Sequence, residues 1–443
     1  MFKYAEPYKI LTKPINFLLF ALFGCHSVNA ELLTMNQALE QALHANRLLE
    51  NAGLEVHKAA SSLAAERTKR YPQLHFDFSE SYNLTPQSYT YEAGVFGAVP
   101  TEDVSIVSER GFTTVLSAGI KQPLSQLYKI GLSIDQFAVR EDIAEEQVRA
   151  QRQEIVKKVR DNYYKILKTQ YSLSANEQRT IFLRELNQLV DRYYQEKTVL
   201  QYQTMEVQAK LARSRHEAFR DKNDLLTQQE RLNVLLGRDI NKQFSVTSIN
   251  DSLLPVPGLD EIESISLSMR PEVRETQLKL EYDKYGYQIK QAEYIPDIDF
   301  EVRYSRLFGT EFIPDEEAVL ALKLKWDIYD WGQKSQELSK KNYAIQQSRN
   351  QIRETKARIV IEVNERYRQL QDANDMQQVS ELTQAAAQEK LRVLMSQYRQ
   401  QVVLLDDVLR AEADLADANN QYHQALLSAW SARAALDKAM GIE

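Results

Sequence analysis

Residues Gln333 to Met440, beginning QKSQELSKKNYAIQQSRNQIRETKARIVIEVNERYRQL and ending ANNQYHQALLSAWSARAALDKAM, run 108 positions without a glycine or a proline. Glycine weakens a helix through backbone entropy, proline through a ring clash and a missing N–H. A run of this length, rich in Ala, Gln, Glu, Arg and Leu, therefore reads as helix throughout. One straight rod would reach about 160 Å at ~1.5 Å per residue, too long for a simple domain. The composition changes at Gln400-Gln401-Val402-Val403-Leu404-Leu405-Asp406-Asp407. A fold-back there leaves one helix of about 65 residues (about 100 Å) and a second of about 37 (about 55 Å). Between Leu132 and Leu236 lie another 105 residues free of both breakers. Two very long helical hairpins, at 126–237 and 333–440, set the architecture.

The chain has 443 residues, 43% apolar and 26% charged, the balance of a folded protein rather than a disordered one. Its net charge of −7 is spread along the helices with acids and bases mixed, which leaves no basic footprint for nucleic acid. No stretch of 18 apolar residues exists, so no membrane-spanning helix is expected in the mature chain. The N-terminus differs. Lys3, Lys9 and Lys13 precede the apolar run Ile15–Gly24, and Val28-Asn29-Ala30 follows, the pattern of a secretory signal peptide cut after Ala30. Losing residues 1–30 removes three lysines and Glu6, so the net charge goes from −7 to −9. The only cysteine, Cys25, lies in that segment; Leu22-Phe23-Gly24-Cys25 leaves lipidation open as the alternative to plain cleavage. Either way the protein is exported and disulfides play no part.

Internal repeats come next. Tyr71-Pro72-Gln73-Leu74-His75-Phe76 and Ile295-Pro296-Asp297-Ile298-Asp299-Phe300 match at an offset of 224. Tyr163, Tyr194, Val199, Leu200, Ala209, Leu211, Ala212 and Gly237 match Tyr367, Tyr398, Val403, Leu404, Ala413, Leu415, Ala416 and Gly441, all at an offset of 204. The first repeat (31–245) thus carries about 20 extra residues in its middle, and residues 246–259 connect it to the second (260–443). Each repeat reads as helix, two strands, long helix, shorter helix. The first helix should run from Met35 to Arg70 with Thr34 as N-cap and stop before Pro72. In the second repeat Arg270-Pro271 interrupts the opening helix, which stops before Pro296.

Four segments alternate with period two, the signature of strands, at about 73–82, 112–121, 297–305 and 318–328. Leu74, Phe76 and Phe78 oppose His75, Asp77 and Ser79; Ile298, Phe300 and Val302 oppose Asp299, Glu301 and Arg303; Leu320, Leu322 and Leu324 oppose Lys323 and Lys325. About ten residues, apolar on one side and charged on the other, is what an outer-membrane barrel strand needs. A half-buried sheet in a soluble domain alternates in the same way. Aromatics at the strand ends (Tyr82, Tyr304, Trp326, Tyr329, Trp331) favour the membrane reading. Four strands cannot close a barrel, and edges cannot stay open in lipid, so that reading demands several copies. Arginine at Phe300 should then cost ~2–4 kcal/mol and arginine at Glu301 little.

Helix lengths give an independent check. The first and fourth helices sum to about 72 residues and the fifth and eighth to about 71, so two short helices stacked end to end match one long one at roughly 100 Å. Between Ala411 and Ala439 ten alanines permit close helix approach, while Val408, Leu415, Tyr422, Leu426 and Trp430 form an apolar stripe.

The signal peptide, the two repeats and the hairpin tips followed by Ala-rich helices resemble the TolC-like outer-membrane efflux family over Glu31–Glu443. The best local matches are Val402-Val403-Leu404-Leu405-Asp406-Asp407-Val408-Leu409-Arg410-Ala411 and the closing Ala434–Gly441. The resemblance implies a mainly α fold with a β-barrel contribution. Three copies would close a twelve-stranded barrel in outer-membrane lipid and continue it as a helical tunnel through the periplasm. It further implies a periplasmic adaptor (membrane fusion protein) and an inner-membrane transporter as partners, meeting the tips at Lys197, Val199, Leu200, Gln401, Val403 and Leu404. Asp407 falls where the family has its first aperture aspartate and Asp406 precedes it, whereas Arg410 occupies the second acidic position and Gln203 is the match in repeat one. Acids in a first helical turn are also favoured by the exposed N–H groups alone. The family's tip glycines are replaced by Lys197 and Gln401.

Enzyme readings lack parts: there is no P-loop, G-x-S-x-G or H-E-x-x-H, and the six histidines are scattered without ligand spacing. No cofactor or metal is expected. The expectation is a passive exit duct of a tripartite efflux or type I secretion system. A periplasmic coiled-coil adaptor or scaffold is the alternative; it shares the hairpins but needs no one-faced ten-residue strands.

Overall fold

The computed structural model describes residues 31–85, 87–108, 111–248, 257–309 and 314–442. The leader segment 1–30 with Cys25, and Pro255 and Val256 of the connection between repeats, lie outside the described residues. Along the chain come β1 (Glu31–Leu33), α1 (Met35–Ala45), α2 (Arg47–Thr68), β2 (Gln73–Tyr82), β3 (Gln87–Tyr91), β4 (Val104–Ser108) and β5 (Phe112–Pro123). Then follow α3 (Gln126–Gln195), α4 (Gln201–Leu235), β6 (Phe244–Val246), α5 (Leu259–Met269), α6 (Pro271–Ala292), β7 (Asp297–Phe308), β8 (Glu316–Lys325), α7 (Gln333–Arg399) and α8 (Leu405–Ala439).

The two repeats agree helix for helix. The first has helices of 11, 22, 70 and 35 residues, the second of 11, 22, 67 and 35. α3 and α7 are unbroken: neither holds a proline to remove an N–H, and their one glycine, Gly131, sits in the second turn of α3. The opening helix, expected as one piece from Met35 to Arg70, is two. Asn46 leaves the helical region (ψ 121°) and caps α2, accepting from Leu48 N–H at 2.9 Å and Leu49 N–H at 3.3 Å. Its amide donates to the Leu235 carbonyl at 2.8 Å, satisfying the open end of α4. The matching break in repeat two is at Arg270, 224 positions on. There the guanidinium donates to the Lys438 carbonyl at 3.4 Å, at the end of α8. Each short helix pair therefore meets the C-terminus of the fourth or eighth helix at a joint. Gly237 and Gly441 turn the chain there with φ of 66° and 80°.

β2, β5, β7 and β8 form one antiparallel sheet in that order, with β2 and β8 at its edges. Its central pairing joins the repeats, Ile120 opposite Val302 and Gly119 opposite Arg303. β8 ends at Lys325 instead of Ile328: its partner β7 begins at Asp297, and the preceding Pro296 has no N–H to extend the ladder. Two small pairings had no counterpart in the sequence reading. β3 and β4 form a hairpin inside the long 83–111 connection. β1 and β6 pair in parallel, with Leu33, Phe244 and Val246 buried against α3 and Tyr163 donating its hydroxyl to the Leu33 and Thr247 carbonyls at 3.0 and 2.9 Å. The helical half has its own core, where Leu183, Leu186, Val190, Val207, Met395 and Val408 pack between the two hairpins. Ala411, Ala418, Ala425 and Ala429 are buried on α8, the close approach their size allows.

Candidate functional site

The register of the sheet sorts its side chains. Leu74 lies opposite Ile120, which lies opposite Val302, which lies opposite Leu320. Phe76, Ala118, Tyr304 and Ala318 form the next row; Ile298 faces Leu324, and Phe300 faces Leu322. All of the alternating apolar positions therefore share one face. It is uncovered: Leu74, Phe76, Phe78, Leu320, Leu322 and Leu324 are between 60% and 81% exposed. An apolar surface of this extent on a folded chain marks contact with lipid or protein.

The other face is a ladder of ion pairs. Lys121 meets Asp299 at 3.1 Å, Arg303 meets Glu317 at 4.0 Å, and Lys323 is bonded to Glu301. Lys129 closes the lower end on Asp297 at 3.4 Å. Gly119 leaves room for the His75 imidazole, which a Cβ there would strike. Glu301 is buried in this ladder. Reversing its charge would bring cations together beside Lys323 and Arg303, so the expectation that Glu301→Arg is mild is corrected.

The hairpin tips repeat each other in backbone conformation and hydrogen bonding. Lys197 and Gln401, 204 positions apart, both hold left-handed backbone (φ 60° and 59°). In each turn the first helix is closed by the same two bonds, Thr198 N–H to the Tyr193 carbonyl (2.9 Å) and Lys197 N–H to Tyr194 (3.0 Å), or Val402 N–H to Gln397 (3.0 Å) and Gln401 N–H to Tyr398 (2.9 Å). A side chain other than glycine costs ~1–2 kcal/mol in that conformation. Leu200 and Leu404 are exposed at the apex, whereas Val199 and Val403 tuck against the core between the hairpins.

The aperture candidates do not meet within one chain. Gln203 and Asp407 occupy equivalent places and do equivalent work: each side chain accepts from the N-cap N–H of its helix, Leu200 at 2.9 Å and Leu404 at 3.2 Å. Asp406 pairs with Arg410 at 2.5 Å along α8. Next to them Tyr398 packs edge-on to Tyr193 with ring centres 5.9 Å apart. Burial of its phenol, with Tyr193 beside it, pushes its pKa up to about 12.

One cluster escaped the sequence reading. Arg179 on α3 bonds Glu217 on α4 at 2.7 Å and Glu412 on α8, a carboxylate buried between them. It ties one hairpin to the other. Helical periodicity by itself does not separate such an arginine from a solvated one.

The sequence profile of outer membrane efflux proteins matches residues 38–238 and 264–442. No curated protein matches significantly. Among solved structures the chain resembles CusC, with a TM-score of 0.78, 17% identity and 99% of both chains covered. It resembles the CmeC outer membrane channel of Campylobacter jejuni at a TM-score of 0.76 and 14% identity, over 92% of this chain and 85% of that one. The open state of the MtrE outer membrane channel of Neisseria gonorrhoeae gives 0.71 and 16%, over 92% and 89%. At these identities the likeness is one of fold.

Proposed function

The chain belongs to the outer membrane efflux protein family, and on that premise we propose that three copies build one passive duct through the outer membrane and the periplasm. The channel class follows from the family; the assembly and its partners are our reading. The observation that carries it is the four-stranded sheet, apolar on one face, charged on the other and open at both edges. In lipid an open edge leaves N–H and C=O groups unpaired at several kcal/mol apiece. Pairing β8 of one copy with β2 of the next removes every edge, and three copies make twelve strands. The ion-paired face then lines water and the leucine and phenylalanine face meets lipid.

The helices continue this wall downward for about 100 Å, the rise of 67 to 70 residues. The energy for transport comes from an inner-membrane transporter joined through a periplasmic adaptor, in a tripartite efflux or type I secretion system. The adaptor meets the tips, where Lys197, Leu200, Gln401 and Leu404 are presented and Val199 and Val403 anchor the turns. Export precedes assembly, with the leader removed after Ala30. Asp406 and Asp407 ring the periplasmic aperture, three copies bringing like charges near the axis.

Single-channel recording in a planar bilayer tests this. The purified protein should conduct as a trimer, and Asp407→Ala should raise conductance, whereas Asp407→Asn keeps the helix cap and isolates the charge. Unchanged conductance in both would remove Asp407 from the aperture. A water-soluble monomer that never enters a bilayer would end the duct reading.

A further inference from the structure

β1 ties the start of the folded chain to a point far from the barrel. The Leu33 carbonyl accepts from the Tyr163 hydroxyl at 3.0 Å and from Thr247 N–H at 3.2 Å. The Leu33 side chain is fully buried, and the Glu31 carboxylate meets Lys242 at 2.6 Å and Arg238 at 3.4 Å. Thr34 then caps α1 with a complete capping box. Three bonds, a cap and a buried leucine leave these residues no freedom to shift along the helices.

Two routes measure the drop from the sheet to Leu33. Down α3, Tyr163 lies 37 residues beyond Gln126, just after β5; at ~1.5 Å per residue that is about 55 Å. The other route leads from the foot of β2 back through α2 and α1, of 22 and 11 residues, or about 50 Å. These two helices run antiparallel to α3: Ser133 donates to Glu66 at 2.8 Å near the sheet, and Tyr163 reaches Leu33 at the far end. The routes agree.

Cys25 precedes Leu33 by eight residues. Fully extended chain covers ~3.3–3.6 Å per residue, so eight residues span at most about 29 Å however they run. A lipid on Cys25 has to place its acyl chains in the apolar core, and the headgroup layer extends only ~5–8 Å beyond that core. Roughly 15 Å stay unbridged. Either β1 is in its place or Cys25 is in the leaflet. Releasing β1 would expose Leu33 and Phe244 and take an acceptor from the Tyr163 hydroxyl, yet gain little reach, because α1 begins at Met35.

We propose that the assembled duct carries no lipid on Cys25: the leader is cut by the peptidase that recognises small residues, Glu31 opens the mature chain with a free amino group, and the barrel alone holds the protein in the membrane. The inference rests on the duct reading, which sets the sheet in the bilayer and the helices beneath it.

Intact-mass and N-terminal peptide measurements on full-length protein, expressed with its leader and purified from outer membranes, give the first test. The expected start is Glu31 with no acyl mass; an N-terminal Cys25 bearing diacylglycerol overturns the proposal, and so does a retained leader. A second experiment probes the reach itself. With residues 1–24 exchanged for a bacterial lipoprotein leader, Cys25 is acylated, and the trimer seen on unheated gels should be lost. Twelve Gly/Ser residues inserted between Ala30 and Glu31, with an r.m.s. span of ~20 Å, should restore it. An acylated chain that assembles fully without the spacer, or that the spacer fails to rescue, refutes the reach argument. Conductance in planar bilayers reports the duct separately: conducting but acylated native protein sinks only this inference, and protein that never enters a bilayer sinks both.

Discussion

Arginine at Leu320 is the sharpest probe of which solvent the sheet meets. β8 has ten residues; at ~3.3 Å rise and ~40° tilt it climbs about 25 Å, the height of an outer-membrane apolar band. Leu320 sits half a residue from the strand's centre, within about 2 Å of the midplane on that geometry. It points to the uncovered face and is opposite Val302. A guanidinium at that depth costs ~2–4 kcal/mol per copy, or roughly 6–12 kcal/mol for a trimer that folds as a unit. The neighbour Ala321 points to the charged face, opposite Glu301, so Ala321→Arg should cost no more than about 1 kcal/mol. Urea titration of vesicle-embedded protein, followed by heat-modifiable gel mobility, measures both. In water the order reverses, because Leu320→Arg would replace an exposed leucine with a soluble side chain. Equal costs for the two variants, or a neutral Leu320→Arg, would refute the lipid-facing assignment.

Three further outcomes are expected. A Cβ at Gly237 would run into the Ala45 carbonyl oxygen, whereas one at Gly441 would come within 3.0 Å of the Met269 carbonyl carbon. Both variants to alanine carry the left-handed penalty, so Gly441→Ala should lose ~1–2 kcal/mol and Gly237→Ala more, read as denaturant midpoints; a harmless Gly237→Ala would contradict the joint. Lys197→Gly and Gln401→Gly should each stabilise by about 0.5–1 kcal/mol, strain relief offset by chain entropy, and a lowered melting temperature in either would argue against the tip geometry. Tyr398, raised to about 12 in the folded chain, favours the protonated native state; that contribution is whole below pH 10 and is lost as pH rises through about 12. Its hydroxyl finds no partner among the described residues, so Tyr398→Phe should keep stability at pH 7 and flatten the alkaline loss seen by circular dichroism. A marked loss at pH 7 would show that the hydroxyl is bonded after all.

Much of the architecture was legible in one dimension because its determinants are local. The absence of Gly and Pro over 105 and 108 positions is enough for the rods, since each residue's helix preference acts within a turn or two of itself. Period-two alternation placed the strands to within a few residues, and equal offsets exposed the repeat. The misses were of another kind. Asn46 reads as an ordinary helix residue, and its break exists because the open end of α4 waits 189 positions away for its amide. β1 and β6 are three residues each, too short for any pattern, and hold only because Tyr163 and α3 bury them.

Of the site, the sequence named the residues and the fold assigned their tasks. Asp407 and Gln203 stand in the same register, but only coordinates show both spending their side chains on a helix cap. Nothing local marks Arg179 as the tie between hairpins, or Glu301 as buried among cations. Sequence by itself determined which segments are helix or strand and which strand face is apolar, because propensity and periodicity are nearest-neighbour properties. The tertiary structure alone decided strand order, the joints and the partner of each charge, because those depend on distances between residues far apart in the chain.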